Sequence, residues 1–261
     1  ELPEIGSPLS QSGLIAQAEK EFSEKFSAKR CFFGVNGASG LMQSAVIAIA
    51  SPGETILMPR NVHISVIKTC AMQNILPIFF DLEFSTETGH YKPITKIWLE
   101  NVFKKINFNE KKIAGVILVS PSYHGYTGNL EPLIDLCHQK NLPVLVDEAH
   151  GSYFLFCENL DLPKSALSSN ADLVVHSLHK SLNGLTQTAA LWYKGNLVNE
   201  HNLIKSINLL QTTSPSSLLL SSCEESIKDW LNKKSLSKYQ KRISEAKSIY
   251  KKLIKKNIPL I

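Results

Sequence analysis

Residues 172–190 read DLVVHSLHKSLNGLTQTAA, an apolar run that empties into a polar turn carrying Ser177, His179 and Lys180. A lysine becomes a carbonyl-binding nucleophile when burial and neighbouring cations leave a fraction of it as neutral amine. Lys180 stands where such a lysine is expected, beside His179 at the end of a buried strand. Taken alone, it also reads as one of 28 basic residues placed on a loop.

Three other places carry residues of the same kind. Residues 36–40, NGASG, lie between the short strand CFFGV and the helical run LMQSAVIAIA. A glycine-rich turn that opens a helix leaves backbone N–H groups and the positive end of the helix dipole free for an anion. The same residues also read as an ordinary helix start with Ser39 as its N-cap. His63 opens a helix after the turn at Pro59, Arg60 and Asn61, where a histidine serves as a cap or a binding group. Asp147 ends the apolar strand over 142–146 and His150 follows three residues later. A carboxylate at a strand end either caps the next turn or faces a ligand.

The elements that must position these side chains alternate in type. Apolar strands are expected over 31–35, 55–58, 76–80, 113–120, 142–146, 172–176 and 188–193. Helices are expected from residue 12, over 41–50, from His63, over 94–106 and over 130–140. Residues 81–93 read as a polar connection, and 158–170 as a loop with a short helical piece. Helices then dominate, over 200–210, 216–231 and 237–256. The strand over 113–120 is almost wholly apolar, as in a parallel sheet covered on both faces. Strand–helix alternation argues for an α/β fold with a mainly parallel central sheet flanked by helices. Ligand sites in such sheets form at strand C-termini. That places the turn from Pro121 to Gly128, with Tyr123, His124 and Tyr126, beside the site.

Composition narrows the class. With 261 residues, 43% hydrophobic and 20% charged, and no apolar run near the ~20 residues that span a bilayer, the sequence suits a globular protein of one large domain, or of one domain plus a piece of a second. The net charge of +5 is concentrated in residues 233–256 and reads as a solvated helix face, so neither nucleic acid nor membrane is an expected partner. Five cysteines, widely spaced and without a CxxC pair, argue for reduced thiols in a cytosol and against a disulfide scaffold or a zinc site. Residue 1 is Glu and no signal peptide is legible, so the chain is expected to begin inside a longer reading frame.

Ser177, His179, Lys180, Asn183, Gly184, Thr186, Gln187, Thr188 and Ala189 together resemble the pyridoxal-phosphate attachment signature of the ornithine/lysine/arginine decarboxylase family. RNVHISV at 60–66 is similar to that family's Arg-Asn-x-His-x-Ser run, DEAHG at 147–151 to its Asp-x-Ala motif, and residues 211–217 to its Thr-Ser-Pro segment. The last also reads as a Ser-Pro turn with Ser214 before a helix. The resemblance covers nearly the whole chain and implies the aspartate-aminotransferase-like large domain of a fold-type I pyridoxal 5'-phosphate enzyme.

It further implies that Lys180 carries the cofactor as a Schiff base, that His63 stacks on the pyridine ring, and that Asp147 keeps the ring nitrogen protonated. His150 would lie near the ring or its 3-hydroxyl. Gly37, Ala38 and Ser39, with Ser177 and His179, belong to the cofactor-holding set. The family usually has two hydroxyl residues in the glycine-rich turn; here Ala38 replaces the first, which lowers the expected phosphate affinity. A hydroxyl from the Thr213 segment would reach the phosphate of a neighbouring subunit. The implied activity is decarboxylation of lysine, arginine or ornithine by a cytoplasmic homodimer.

The implied domains are an irregular lead-in over 1–11, a cofactor-binding large domain over 12–210, and a helical segment over 211–261 that starts an incomplete small domain. Two other readings stand beside this one. An aminotransferase-like enzyme on the same fold would hold the substrate carboxylate with an arginine, and the sequence has only Arg30, Arg60 and Arg242. A non-catalytic homologue would keep the fold as a dimerisation or regulatory module.

Overall fold

Runs of Val, Ile and Leu flanked by turn residues form one seven-stranded sheet in the computed structural model, which describes residues 12–108, 111–157, 160 and 162–258. In chain order the elements are α1 (Gly13–Lys25), β1 (Arg30–Gly34), α2 (Gly37–Ile49), β2 (Thr55–Pro59), α3 (Ile64–Gln73), β3 (Leu76–Phe80), β4 (Phe84–Ser85), β5 (His90–Tyr91), α4 (Lys96–Lys104) and β6 (Ile113–Val119). They continue with α5 (Glu131–His138), β7 (Val144–Asp147), a 3₁₀ turn (Ser152–Phe156), β8 (Leu173–Ser177), α6 (Leu178–Ser181), β9 (Ala189–Tyr193), α7 (Glu200–Leu210), α8 (Ser217–Leu231) and α9 (Lys233–Lys255). The lead-in expected over 1–11 lies outside the described residues.

The strand order is β1-β9-β8-β7-β6-β2-β3. From β3 through β2, β6 and β7 to β8 every pair is parallel, and β9 runs antiparallel to both β8 and β1. A parallel return needs a crossover of about a dozen residues or more. The connection over 178–188 is too short for one, so β9 turns back beside β8. That connection carries Lys180.

Alternation along each strand divides the core between two faces. Val144, Val146, Val174, Ala190 and Trp192 join one apolar cluster with residues of α1, α4, α5 and α8. Leu145, Leu173, Val175, Ala189 and Leu191 join the other with residues of α2, α3 and α7. Both sheet faces are therefore covered, which fits the unbroken apolar runs. All five cysteines are buried and free. In α8, Leu220, Cys223, Ile227 and Trp230 are buried in the first cluster, whereas α9 buries no residue. The helical segment expected from residue 211 thus begins with a helix seated on the core of the sheet.

Several local expectations are corrected. The polar turn at Lys180 is a single helical turn, α6, and Ser177 is the last residue of β8. Residues 81–93 include a two-stranded hairpin, β4–β5, with Gly89 at φ 71°. The 3₁₀ turn at Ser152–Phe156 is local geometry that no periodicity announces. Asn36, not Ser39, occupies the N-cap of α2, because the helix already begins at Gly37 and places Ser39 in its first turn. Ser214 stands in a bend before α8, whose N-cap is Ser216.

Glu19 of α1 is 6% exposed and faces β1, where its Oε1 accepts the Phe33 N–H at 2.7 Å. Burial pushes its carboxyl from 4.5 up to about 8, against the opposing pull of the Phe33 N–H and Arg30. Folding raises this pKa, so the folded chain keeps a proton that the unfolded chain releases above its own value. The resulting stabilisation is full below about pH 4.5 and is lost as pH rises to about 8. Glu19→Gln is expected to flatten that part of the profile. Denaturant midpoints at pH about 5 and about 8 measure it, and equal slopes in both proteins would count against a titrating Glu19.

Candidate active site

Because five neighbouring strands are parallel, their C-termini lie along one edge of the sheet, and the chemistry-bearing residues follow those ends. A cavity of about 290 Å³ opens there. It is lined by Ala38, Ser39 and Met42 of α2, by Asn61, Val62, His63 and Ile64 at the start of α3, by Val119 at the end of β6 and by Tyr123 beyond it. Asp147, Ala149, His150 and Lys180 complete the lining.

His63 is the N-cap of α3, and its Nδ1 accepts the Ser65 N–H at 3.2 Å with Ser65 Oγ at 2.8 Å. Accepting a backbone N–H leaves Nδ1 unprotonated, so the neutral ring carries its proton on Nε2. One side chain thus serves as both cap and cavity wall. Asp147 is 9% exposed, and its Oδ1 accepts the Ala149 N–H at 3.1 Å. Burial raises its pKa, while the Ala149 N–H, Lys180, His63 and His150 oppose the rise. Lys180 Nζ lies 3.2 Å from His150 Nε2. Burial lowers the His150 pKa, Lys180 lowers it further, and Asp147 opposes. The neutral imidazole is therefore the favoured form, with a lone pair available to a lysine N–H. Tyr123 is 83% exposed and meets the His150 ring edge-on at 5.8 Å.

Other expected site residues stand outside this lining. Gly37, at φ 70°, donates its N–H to Gln187 O at 2.8 Å, so that donor is already engaged. The next N–H groups, of Ala38 and Ser39, belong to the first turn of α2, where a helix supplies no partner of its own. Ser177 is fully buried, with its Oγ 3.2 Å from His179 Nδ1, which also lies 3.2 Å from Thr188 O. These two residues shape the lysine turn from behind. Thr213 is exposed, and its segment follows Leu210, whose carbonyl accepts Asn36 Nδ2 at 3.2 Å.

The sequence reading missed Asn61, whose Oδ1 is buried without a hydrogen-bond partner at the cavity wall. It also missed Glu148, next to Asp147 and fully buried. Glu148 Oε1 accepts the Ala166 N–H at 2.8 Å, and Oε2 lies 2.8 Å from His176 Nε2. His176 Nδ1 accepts Trp192 Nε1–H at 2.9 Å, which puts the imidazole proton on Nε2 and aims it at Glu148. Two donors thus converge on one carboxylate behind Asp147. Glu148→Gln places an amide donor against one of them and is expected to destabilise the chain by about 2–3 kcal/mol. A denaturant titration measures this, and an unchanged midpoint would count against the network.

Residues 1–259 match the family described as Orn/Lys/Arg decarboxylase, major domain. The chain belongs to the Orn/Lys/Arg decarboxylase family. An arginine decarboxylase of Halalkalibacterium halodurans is 36% identical over 212 residues, which are 81% of this chain and 42% of that protein. A lysine decarboxylase of Pseudomonas aeruginosa is 26% identical over 204 residues, covering 73% of this chain and 27% of its own length. The chain therefore spans less than half the length of these relatives.

Among solved structures, the constitutive lysine decarboxylase of E. coli superposes with a TM-score of 0.73 at 23% identity, over 86% of this chain and 32% of that one. A serine palmitoyltransferase variant of S. paucimobilis, solved with a bound PLP–myriocin aldimine, gives 0.61 at 14% identity, over 84% and 52%. These likenesses establish the expected aspartate-aminotransferase-like α/β fold. In this major domain of the Orn/Lys/Arg decarboxylase family, Lys180, Asp147 and His63 share one cavity wall.

Proposed function

We propose that this chain is the cofactor-bearing large domain of a pyridoxal 5'-phosphate-dependent decarboxylase acting on lysine, arginine or ornithine. The observation that carries the reading is the common cavity of Lys180, Asp147, His63 and the first turn of α2. These residues suit the cofactor. Asp147 has an ionised form disfavoured by burial, so a protonated pyridine nitrogen is the kind of cation it needs. The N–H groups of Ala38 and Ser39 and the Ser39 hydroxyl would hold the phosphate. Lys180 would hold the aldehyde carbon, and His63 the ring.

When bound, pyridoxal phosphate supplies the electron sink that accepts the pair left by departing CO₂. The chain's residues do the rest. Lys180 would hold the cofactor's aldehyde carbon, and His150 Nε2, 3.2 Å from Lys180 Nζ, is placed to accept a proton from it. Asp147 would hold the proton of the ring nitrogen in place. His63 keeps a fixed tautomer at the wall because Ser65 N–H engages its Nδ1. Ser177 and His179 fix the lysine turn against Thr188 O.

Among the described residues, Asp147 is the sole carboxylic acid that lines the cavity. A homodimer, with a hydroxyl of the Thr213 segment reaching the phosphate of a neighbouring subunit, is part of the proposal. Residues 211–261 form, on this proposal, the approach to a further domain of the longer protein. No helix among the described residues is long and apolar enough to cross a membrane, and a cytoplasmic location remains part of the proposal. The aminotransferase reading is the weaker, because no arginine among the described residues lines the cavity. Arg30 pairs with Glu200, Arg60 pairs with Asp81 and Arg242 lies over Tyr239, and none lines the cavity.

The test is to add pyridoxal phosphate, reduce with borohydride and map the modified peptide. Label at Lys180, followed by CO₂ release from one of the three amino acids, is the expected result. Label with no CO₂ release from any of them would favour a non-catalytic homologue.

A further inference from the structure

Residues 182–188 carry the chain from Lys180 into β9, and the C-terminal helices hold this turn from outside the sheet. Asn183 and Gln187 adopt φ of 62° and 78°. A Cβ at Gly184 would meet Thr188 Oγ1 and the Leu178 backbone. Side-chain-bearing residues in the left-handed region persist where the surroundings over-determine them. Three contacts do so here. Gln187 O accepts the Gly37 N–H at 2.8 Å, Leu185 N donates to Ser222 Oγ of α8 at 2.9 Å, and Asn183 Nδ2 donates to the Tyr239 hydroxyl of α9 at 2.6 Å.

Tyr239 is itself fixed. Its ring stacks on Trp230 with centroids 3.6 Å apart and planes 7° from parallel, and Trp230 is 5% exposed in the core. Its hydroxyl donates to Asp229 Oδ2 at 3.4 Å while accepting from Asn183, which uses both functions of a phenol. The lysine helix is anchored in the core only at its ends, by buried Leu178 and by Leu182 just after it. A single turn is not stable in isolation, and α6 is bonded forward into the turn, through Leu178 N to Thr188 O and through Gly184 N to Leu178 O. Wherever the turn sits, the lysine follows.

We propose that Tyr239 and Ser222 are positioning residues for Lys180: by pinning the turn over 182–188 they set the direction from which its amine enters the cavity. The inference rests on the role proposed for Lys180 above. It makes the site depend on α8 and α9, whose contacts with the turn span 37 and 56 positions of sequence.

Tyr239→Phe keeps the stack on Trp230 and deletes the hydroxyl; Asn183→Gly keeps the backbone conformation and deletes the amide. Read by hydrogen exchange and mass spectrometry, each variant is expected to exchange roughly three- to tenfold faster over 182–188, as loss of one neutral hydrogen bond allows. Exchange in β7 should not change, and the double variant should add nothing to either single one. Borohydride-trapped labelling of Lys180 by pyridoxal phosphate should slow by a similar factor, with labelling of exposed Lys20 unchanged.

Wild-type exchange in Tyr239→Phe, or losses that multiply in the double variant, would overturn the clamp. Faster exchange with Lys180 labelled at the wild-type rate would overturn the positioning role. Absence of Lys180 label in the wild-type chain would overturn the cofactor reading and this role with it. The exchange measurement, which needs no cofactor, separates that failure from a failed clamp.

Discussion

Lys180→Ala is expected to abolish covalent capture of pyridoxal phosphate and to lower CO₂ release by at least about 1,000-fold, the scale on which loss of a nucleophile acts. Among the described residues, Lys180 Nζ has a single hydrogen-bond contact, at 3.2 Å from His150, and the residue is exposed. Its removal should therefore leave stability within about 0.5 kcal/mol. Activity lost at unchanged stability is what separates a chemical role from a structural one. The measurements are peptide mapping after borohydride reduction, CO₂ release in the full-length protein, and a denaturant midpoint. An adduct that persists in Lys180→Ala on another lysine would move the site away from this cavity.

Asp147→Asn should slow decarboxylation on the order of 100- to 1,000-fold, the cost of losing one pre-placed electrostatic partner, while Lys180 remains labelled. The split follows from what each residue touches. Lys180 needs only an aldehyde, whereas the electron sink needs its ring nitrogen protonated, and an amide cannot hold that charge.

Stability gives an independent readout. Burial raises the Asp147 pKa on folding, so the protonated folded form is favoured at low pH, and this contribution is lost as pH rises through the folded value. In cofactor-free protein the asparagine variant should lose that part of the slope and be the more stable of the two at alkaline pH. Wild-type turnover in Asp147→Asn would remove Asp147 from the mechanism.

How far the sequence reaches depends on whether a feature is local. Strand and helix order was legible because apolar runs and 3.6-residue spacing are written in neighbouring residues. So were the places of His63, Asp147 and Lys180, since Asp147 ends β7 and the other two lie a few residues past the ends of β2 and β8. The hairpin β4–β5 was not, because two-residue strands are too short to show a period. Glu148 was passed over for a similar reason: its partners, His176 and Ala166, lie 28 and 18 residues away.

By itself, then, the sequence determined the α/β class, the family signature and which side chains stand at strand ends. Tertiary structure alone decided which of them meet. Lys180 reaches the cavity wall while Ser177, three residues earlier, is sealed behind it. His150 contacts Lys180 across two strand ends, and Tyr239 reaches back from α9 to the lysine turn. The physical reason is that these contacts depend on strand order and on helix seating, which are set by burial of apolar faces far apart in the chain. No spacing within one element encodes them.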